Sequence, residues 1–148
     1  MRKLLGVTMA VAVGFGAAIT VAGPAQAAPA VEITRVYVNS PGTDTSSNKS
    51  VNGEYVKLTN RRSTTVSLKN WTVRDKARHV YTFGDVKLKP KASIVLHTGK
   101  GTNSATKRYW GRGWHVWNNT GDTAYLRNST GKQIDSCSWK KVDSYKNC

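Results

Sequence analysis

The sequence predicts a single all-β domain, a sandwich or a barrel, that follows a removable N-terminal segment. Two observations support this prediction. Beyond residue 30, short runs of β-branched and aromatic residues recur, with turn signals about every eight to twelve residues. Helical periodicity is absent from the same part of the sequence. About 120 residues remain after the N-terminal segment, and that length suits one sandwich.

The N-terminal segment has the three parts of a secretory signal peptide. Arg2-Lys3 gives a basic start, residues 4–21 are apolar, and Ala25-Gln26-Ala27 is a cleavage signature. The sequence therefore predicts that residues 1–27 are cleaved and that residues 28–148 form a secreted, extracellular domain. An uncleaved membrane anchor is the alternative, because the apolar run is nearly long enough to span a bilayer. No later segment is long and apolar enough to do so.

The first two predicted strands set the pattern for the rest. Residues 31–38 break strict alternation, and a bulge near Thr34-Arg35 would bring Ile33 and Val36 to one inward face. Residues 54–60 alternate cleanly, with Val56 and Leu58 inward and with Tyr55, Lys57 and Thr59 outward. The further predicted strands are residues 64–68, 71–75, 79–83, 86–90, 92–98, 123–127 and 132–139. Residues 40–50 and 99–106 are predicted loops by composition.

Several of these elements, taken in order, resemble those of lamin tail domains. The matching residues are Glu54-Tyr55-Val56-Lys57-Leu58-Thr59-Asn60, Val66 with Leu68 and Trp71, Phe83 with Leu88 and Pro90, Ile94-Val95-Leu96, Trp117-Asn118-Asn119 with Gly121-Asp122 and Leu126, and Gly131-Lys132 with Ile134-Asp135. The resemblance covers nearly all of residues 31–139, followed by a short C-terminal tail. Asn70 departs from the family pattern, which usually has glycine before the tryptophan.

The resemblance implies an immunoglobulin-like β-sandwich and a non-enzymatic module. In nuclear lamins such domains bind other proteins and DNA or chromatin, and bacterial relatives are exported. The family therefore indicates a fold strongly and a function weakly. No functional residues can be transferred, because the matching motifs are scaffold elements.

The two cysteines, Cys137 and Cys148, predict one disulfide. An exported chain lies where disulfides persist, and an even count favours a bridge within the chain. Such a bridge would tie the C-terminal tail to the last predicted strand. An intermolecular bridge through Cys148 is the alternative. The spacing fits neither a redox motif nor a zinc site.

The sequence predicts no catalytic residues, no cofactor and no metal. His79, His97 and His115 lack partners at metal-ligand spacing, and neither a nucleophile elbow nor a P-loop occurs. An enzyme would need two carboxylates facing each other across a cleft or a paired histidine and acid. Asp122, which follows a turn glycine, is predicted to accept backbone N–H bonds instead.

The charge balance indicates an anionic partner. The chain has 23 Lys and Arg against 8 Asp and Glu, a formal net charge of +15, and such a field attracts polyanions. Residues 107–117 interleave cations with aromatic rings, as sites for single-stranded nucleic acid or sugar polymers do. The candidate binding residues are Lys107, Arg108, Tyr109, Trp110, Arg112 and Trp114. Trp110 is predicted to be the most exposed ring, Trp117 to belong to the core, and one of Trp114 and Val116 to face inward.

The sequence therefore predicts an exported, monomeric and non-enzymatic binding module. Its expected partner is an anionic polymer, either extracellular DNA or an anionic cell-wall polymer. A protein-interaction or structural module of the cell envelope, with no nucleic-acid role, remains the alternative. The distribution of basic side chains discriminates between the two, because a polyanion site needs them on one coherent face.

Overall fold

The computed structural model describes Gly23 and residues 27–148, so the predicted signal peptide lies almost wholly outside the described residues. The described chain forms short strands and one short helix. In order these are β1 Val31–Tyr37, α1 Asn48–Val51, β2 Tyr55–Asn60, β3 Val66–Ser67, β4 Thr72–Arg74, β5 Val80–Thr82, β6 Lys87–Leu88, β7 Ser93–His97, β8 Lys107–Tyr109, β9 Asp122–Arg127, β10 Gln133–Trp139 and β11 Tyr145–Asn147.

The strands form two main sheets that pack face to face. One sheet has the order β11-β1-β2-β7-β8 and the other has the order β10-β9-β4-β5, while β3 and β6 form a separate two-stranded ribbon. Neighbouring strands are antiparallel except for β7 and β8, which are parallel. The inward side chains of both sheets form one apolar core, which includes Ile33, Val36, Leu58, Val73, Phe83, Ile94, Leu96, Trp117, Ala124 and Leu126. The predicted all-β, immunoglobulin-like sandwich is confirmed.

The bulge predicted in the first strand is confirmed. The register between β1 and β2 shifts between Ile33 and Arg35, so Thr34 is the extra residue. As a result Ile33 and Val36 are both buried, although their positions differ by three and strict alternation would place them on opposite faces. The hydroxyl of Thr34 lies 3.0 Å from that of Thr59 on β2, which fixes the bulged residue against its neighbour.

The predicted loop at residues 40–50 instead contains the beginning of a short helix, α1. Ser47 caps α1 by accepting the N–H of Ser50, and a helix of four residues shows no apolar periodicity that a sequence could reveal. The helix braces a neighbouring loop. The Asn48 side chain accepts the N–H of Lys100 at 2.7 Å, and the Asn52 side chain accepts that of Gly99 at 2.8 Å.

Two edge strands were also missed. β8 and β11 have three residues each and lie at opposite ends of the five-stranded sheet. Their side chains are mostly polar, since an edge strand this short buries little apolar surface and shows no alternation. The C-terminal tail is therefore not an appendage, because β11 pairs with β1 along the edge of the sheet.

The predicted disulfide between Cys137 and Cys148 is confirmed. Cys137 belongs to β10 in the four-stranded sheet, while Cys148 follows β11 in the five-stranded sheet. The bridge therefore joins the two sheets, and the N–H of Cys148 donates to the carbonyl of Thr34 at 3.2 Å. A disulfide of this kind indicates a non-reducing environment.

The backbone conformation of Asn70 explains why asparagine can stand where the family usually has glycine. It lies in the turn before β4 with φ of 61°, in the left-handed region where glycine is usual and asparagine is the best-tolerated substitute. Its N–H donates to the carbonyl of Phe83 at 2.9 Å, so the turn is fixed against the segment that follows β5.

Candidate functional site

The structure divides the predicted binding segment between two sides of a sheet. Lys107 and Tyr109 lie beside Val95 and His97 of β7, on the outer face of the five-stranded sheet. Arg108 lies beside Leu96, which is buried, so this residue is directed toward the edge of the sandwich interior. The Arg108 guanidinium donates to the carbonyl of Ser104 within its own loop. These three neighbours therefore do not form one contiguous surface.

The prediction that Trp110 is the most exposed ring is wrong. Its ring is half-buried and packs edge-on against Tyr81, at a centroid distance of 6.0 Å, and against Trp117, at 5.9 Å. Tyr81 belongs to β5, the edge of the four-stranded sheet, while Trp110 directly follows β8, the edge of the five-stranded sheet. Trp110 thus covers the open side of the sandwich, and its flanking arginine and glycine gave a misleading signal of exposure.

The exposed indole is Trp114. Its side chain is 55% exposed, whereas Val116 is buried, so the predicted alternation between these two positions is confirmed. Trp117 is buried, as predicted for a core residue. Arg112 is exposed, and its N–H donates to the carbonyl of Thr98 at the end of β7. The residues at 112 and 114 therefore project from a loop beyond the sheet, apart from Trp110.

A row of aromatic rings crosses the outer face of the five-stranded sheet. Each strand contributes one ring, and the rings stand at paired register positions. The members of this aromatic row are Tyr145, Tyr37, Tyr55, His97 and Tyr109. The row therefore uses one residue of the predicted site and four that lie elsewhere in the sequence.

Neighbouring rings in the aromatic row overlap only in part. The Tyr37 centroid lies 5.3 Å from that of Tyr55 and 5.7 Å from that of Tyr145, with interplanar angles of 28° and 30°. Because atoms of rings in contact lie about 3.5 Å apart, a centroid distance of 5.3 Å implies a lateral slip of roughly 4 Å. In these two pairs each ring therefore leaves part of its face uncovered by its neighbour, whereas Tyr55 meets His97 edge-on at 5.8 Å.

The two ends of the aromatic row differ in accessibility. At one end a side chain at Gly101 would clash with the Tyr109 ring, so the backbone of the loop after β7 lies directly against that tyrosine. At the other end the Tyr145 side chain is 42% exposed, and the Arg35 guanidinium lies 4.4 Å from its ring centre. A cation placed over an aromatic face in this way is favourable.

A row of cations lies beside the aromatic row, two residues along each strand. The register places Arg35 next to Lys57, Lys57 next to Val95, and Val95 next to Lys107. We call Arg35, Lys57 and Lys107 the basic row. Arg35 is also fixed from the other side, because its Nε donates to the Oδ1 of Asn147 on β11 at 2.9 Å.

The excess positive charge is not confined to this face. On the outer face of the four-stranded sheet, Arg74 lies 5.5 Å from the ring centre of Tyr125, and Arg127 belongs to the same strand as that tyrosine. Further exposed lysines occupy turns. What distinguishes the five-stranded sheet is therefore the row of five rings next to its cations, rather than the charge alone.

A buried carboxylate and an imidazole join three loops above this sheet. Glu54 is 1% exposed, and its Oε2 accepts the N–H groups of Val116, at 2.9 Å, and Trp117, at 3.4 Å. The Nδ1 of His115 lies 3.2 Å from the Oε1 of Glu54, and its Nε2 lies 3.7 Å from a carboxylate oxygen of Asp44. Burial raises the pKa of Glu54 from 4.5 to about 7, against the opposing effects of the Val116 amide and of His115.

The same cluster superficially resembles a serine-hydrolase triad. The Nε2 of His115 lies 3.3 Å from the hydroxyl of Ser50, and Glu54 lies on the other side of the ring. However, this Nε2 also lies 3.3 Å from the carbonyl of Thr45, which can only accept a hydrogen bond. An Nε2 that donates to this carbonyl cannot also remove the proton of Ser50, so only the tautomer with an accepting Nε2 could do so. In either tautomer the cluster joins the loops that carry Asp44, Glu54 and His115.

A second paired histidine and acid lines a cavity of about 370 Å³ at the end of the four-stranded sheet. The Nδ1 of His79 lies 2.6 Å from Asp75, and the other oxygen of Asp75 accepts the N–H of His79 at 2.7 Å. Asp122 borders the same cavity and accepts the N–H groups of Lys76, Asn118 and Thr123. The predicted turn role of Asp122 is confirmed, and Asp75 closes the β4–β5 turn in the same way.

Comparison with known proteins assigns the chain to a family. A family model described as Lamin Tail Domain matches residues 24–141. The chain belongs to the lamin tail domain family. These are non-catalytic, immunoglobulin-like domains, so this lamin tail domain is a binding or structural module. A search of curated proteins finds no match.

The family motif supplies scaffold residues in this lamin tail domain. Asn60, the last residue of the Glu54–Asn60 motif, is fully buried and donates to the carbonyls of Thr64, Leu88 and Lys89. The side-chain oxygen of Asn60 accepts the N–H of Arg62. Glu54, the first residue, holds two amides as described above. Both ends of the motif therefore fix loops, while Tyr55 and Lys57 between them lie on the outer face of the sheet.

Sequence analysis of this lamin tail domain missed most of the surface described here. Tyr55 and Lys57 were correctly predicted to face outward, but their alignment with Tyr37, His97 and Tyr145 depends on strand register. Among residues 27–148 no cluster of three or more His, Cys, Asp or Glu side chains could hold a metal ion. In the same part of the chain no helix is long and apolar enough to cross a membrane.

Proposed function

We propose that this lamin tail domain is a secreted module that binds an anionic polymer on the outer face of its five-stranded sheet. The observation that carries the proposal is the basic row beside the aromatic row. Arg35, Lys57 and Lys107 come from three strands of one sheet face, so an extended polymer that crosses these strands can meet all three. The predicted secretory signal peptide and the disulfide support an extracellular location.

The mechanism would be electrostatic. A chain with 23 basic and 8 acidic side chains attracts a polyanion from any direction, and contact with the basic row then releases its condensed counterions. Such affinity falls steeply with added salt, by roughly 0.7 to 0.9 in the logarithmic slope for each phosphate neutralised. The measurement that tests the proposal is therefore a salt titration of binding.

The experiment compares two double variants of equal net charge. Lys57→Gln/Lys107→Gln removes two cations of the basic row, while Lys132→Gln/Lys140→Gln removes two exposed cations at the ends of β10. Binding of fluorescent DNA is followed by anisotropy from about 50 to about 200 mM salt. We expect the first variant to bind at least about tenfold more weakly at low salt. The plot of its log affinity against log salt concentration should be less steep by about one and a half.

The control variant should keep the wild-type affinity to within about threefold, since it alters only the long-range field. Equal losses in the two variants would contradict a site on the basic row. Absence of any binding by the wild-type protein to DNA and to polyphosphate at low salt would overturn the proposal.

A protein-binding role is the second candidate, and exposed Trp114 is the observation that favours it. Tryptophan is the residue type most enriched at the energetic centres of protein interfaces. Trp114 projects from a loop fixed by the contact of His115 with Glu54, so the indole is presented on a restrained backbone. Capture of one protein partner with salt-insensitive affinity, lost in Trp114→Ala and kept in Lys57→Gln/Lys107→Gln, would establish this role instead.

A further inference from the structure

We propose that the polymer is single-stranded nucleic acid, with bases held by the aromatic row and phosphates held by the basic row. This inference rests on the proposed function and makes it more specific. It requires that the rings be accessible, that the two rows be parallel and adjacent, and that the chemistry of the rings discriminate among polyanions.

The rings of the row keep accessible surface, although the backbone at Gly101 lies against Tyr109. Tyr37, Tyr55, His97 and Tyr109 are each half-buried on an outer sheet face, and Tyr145 at the end of the row is exposed. The lateral slip in the two pairs that Tyr37 forms leaves part of those ring faces uncovered by a neighbouring ring. Since strands in a sheet are about 4.8 Å apart, five rings on five neighbouring strands extend over roughly 19 Å. That length is sufficient for several nucleotides.

The two rows run side by side across the strands. Tyr37 and Arg35 are two residues apart on β1, as are Tyr55 and Lys57 on β2, which separates the rows by about 7 Å. Tyr109 and Lys107 repeat the spacing on β8. A nucleic-acid strand that follows the two rows therefore meets rings on one side and cations on the other at three positions. Arg35 can serve both rows, because its guanidinium already lies over the Tyr145 ring.

The rings decide among the possible polyanions. A duplex keeps its bases paired inside, and a polymer of phosphate and small polyols has no rings, so either would leave the aromatic row without a partner. Bases of a single strand stack on aromatic side chains with little sequence preference, next to a positive groove that follows the backbone. An aromatic row beside a basic row matches that combination. Neighbouring rings on adjacent strands also stabilise a sheet, so the test must separate binding from folding.

The test compares probes that share a backbone and differ in their bases. Oligodeoxythymidylate of about twelve nucleotides, an abasic deoxyribose-phosphate oligomer of equal length, and a duplex of equal length are titrated with purified protein. The variants are Tyr37→Thr/Tyr145→Thr and, as a matched control, Tyr125→Thr on the outer face of the other sheet. Threonine is chosen because it favours strands. Circular dichroism and thermal unfolding check that each variant is folded.

We expect wild-type protein to bind oligodeoxythymidylate at least about tenfold more tightly than the abasic oligomer and the duplex. The double variant should lose most of that advantage and keep its affinity for the abasic probe, while Tyr125→Thr should change neither by more than about twofold. If the double variant is unfolded, Tyr145→Ser alone, at the exposed end of the row, should still weaken oligodeoxythymidylate binding by about fivefold.

Other outcomes contradict this inference in distinguishable ways. Equal affinity for the abasic and thymidylate probes would leave polyanion binding intact and remove the role of bases, so polyol-phosphate polymers would become the better candidates. Tighter binding of the duplex would also overturn the inference. Absence of binding to every probe would overturn the proposed function itself.

Discussion

Asn60 lies at the end of β2 with no exposed surface, and every polar atom of its side chain has a backbone partner. Its amide nitrogen donates to three carbonyls, at 2.8 to 3.0 Å, and its oxygen accepts the N–H of Arg62 at 2.9 Å. One side chain thus fixes the turn after β2 and the end of β6. Buried polar groups that lose such a partner are left unsatisfied at considerable cost.

Replacement of Asn60 should therefore be strongly destabilising. We expect Asn60→Ala to lower the free energy of unfolding by about 3 kcal/mol, because it leaves several buried backbone groups without partners. Asn60→Asp keeps the shape and removes both donors, and it should be at least as harmful. Urea denaturation measures the free energy of unfolding of both variants. A cost below about 1 kcal/mol for Asn60→Asp would show that the amide is not the source of the stability.

Glu54 should make stability depend on pH. Its folded pKa of about 7 exceeds its ordinary value of 4.5, so between these values the folded protein binds a proton that the unfolded chain does not. Stability from this group is therefore fully present below about pH 4.5 and is lost as pH rises through about 7. The loss amounts to at most about 3 kcal/mol, since one pKa unit corresponds to about 1.4 kcal/mol.

Urea denaturation between about pH 5 and pH 8 tests this dependence. We expect Glu54→Gln to flatten the decline, because glutamine still accepts the amides of Val116 and Trp117 and does not titrate. His115 faces this carboxylate, and Asp44 lies on the other side of the His115 ring, so the comparison is made as a difference from wild type. Glu32→Gln, at a partly exposed carboxylate paired with Arg61, is the control and should retain the wild-type decline. An unchanged decline in Glu54→Gln would contradict this role for Glu54.

At the scale of elements, β11 is a strand only because two restraints act on it. Its three exposed residues bury no side chain, yet β11 pairs with β1, and Cys148 next to it is bonded to Cys137. The disulfide could be predicted from the sequence because the chain has an even number of cysteines and one of them is the last residue. It could not predict the strand, because Tyr145-Lys146-Asn147 has neither apolar alternation nor a length that distinguishes it from a loop.

Removal of the bridge should release this edge strand. We expect Cys137→Ser/Cys148→Ser to lower the free energy of unfolding by about 3 kcal/mol, the chain-entropy value for a loop of this length. Amide exchange of Lys146, which alternates with Ser144 and Cys148 in pairing with β1, should accelerate more than that of β2, which lies inside the sheet. Unchanged protection of β11 in the variant would show that pairing with β1 alone holds the strand.

At the scale of the whole molecule, the sequence was informative wherever a strand has one buried face. The alternation in β2, β4, β7 and β9 and the bulge in β1 followed from local residues, and the order of the family motifs specified the sandwich. Sequence analysis failed where the determining contact is distant. Trp110 meets Tyr81 and Trp117 across the gap between two sheets, and its neighbours in the sequence give no sign of that contact.

The candidate site shows the same division between local and distant information. The outward direction of Tyr55 and Lys57 is a local property, whereas the aromatic row exists only after five strands have taken their register. The rings of Tyr37 and Tyr145 come from the first and the last strand of the described chain. No sequence pattern within a short window could predict that these two rings lie side by side.

The pairing of β1 with β11 also bears on how fast the sandwich forms. Most strand pairs in this domain join distant parts of the chain, and Arg35 pairs with Asn147. Closing such long loops is entropically costly before any contact compensates for it, so domains of this topology fold in milliseconds to seconds rather than microseconds. Until β11 has paired, the edge of β1 that it covers is open to other chains, because β2 occupies the opposite edge.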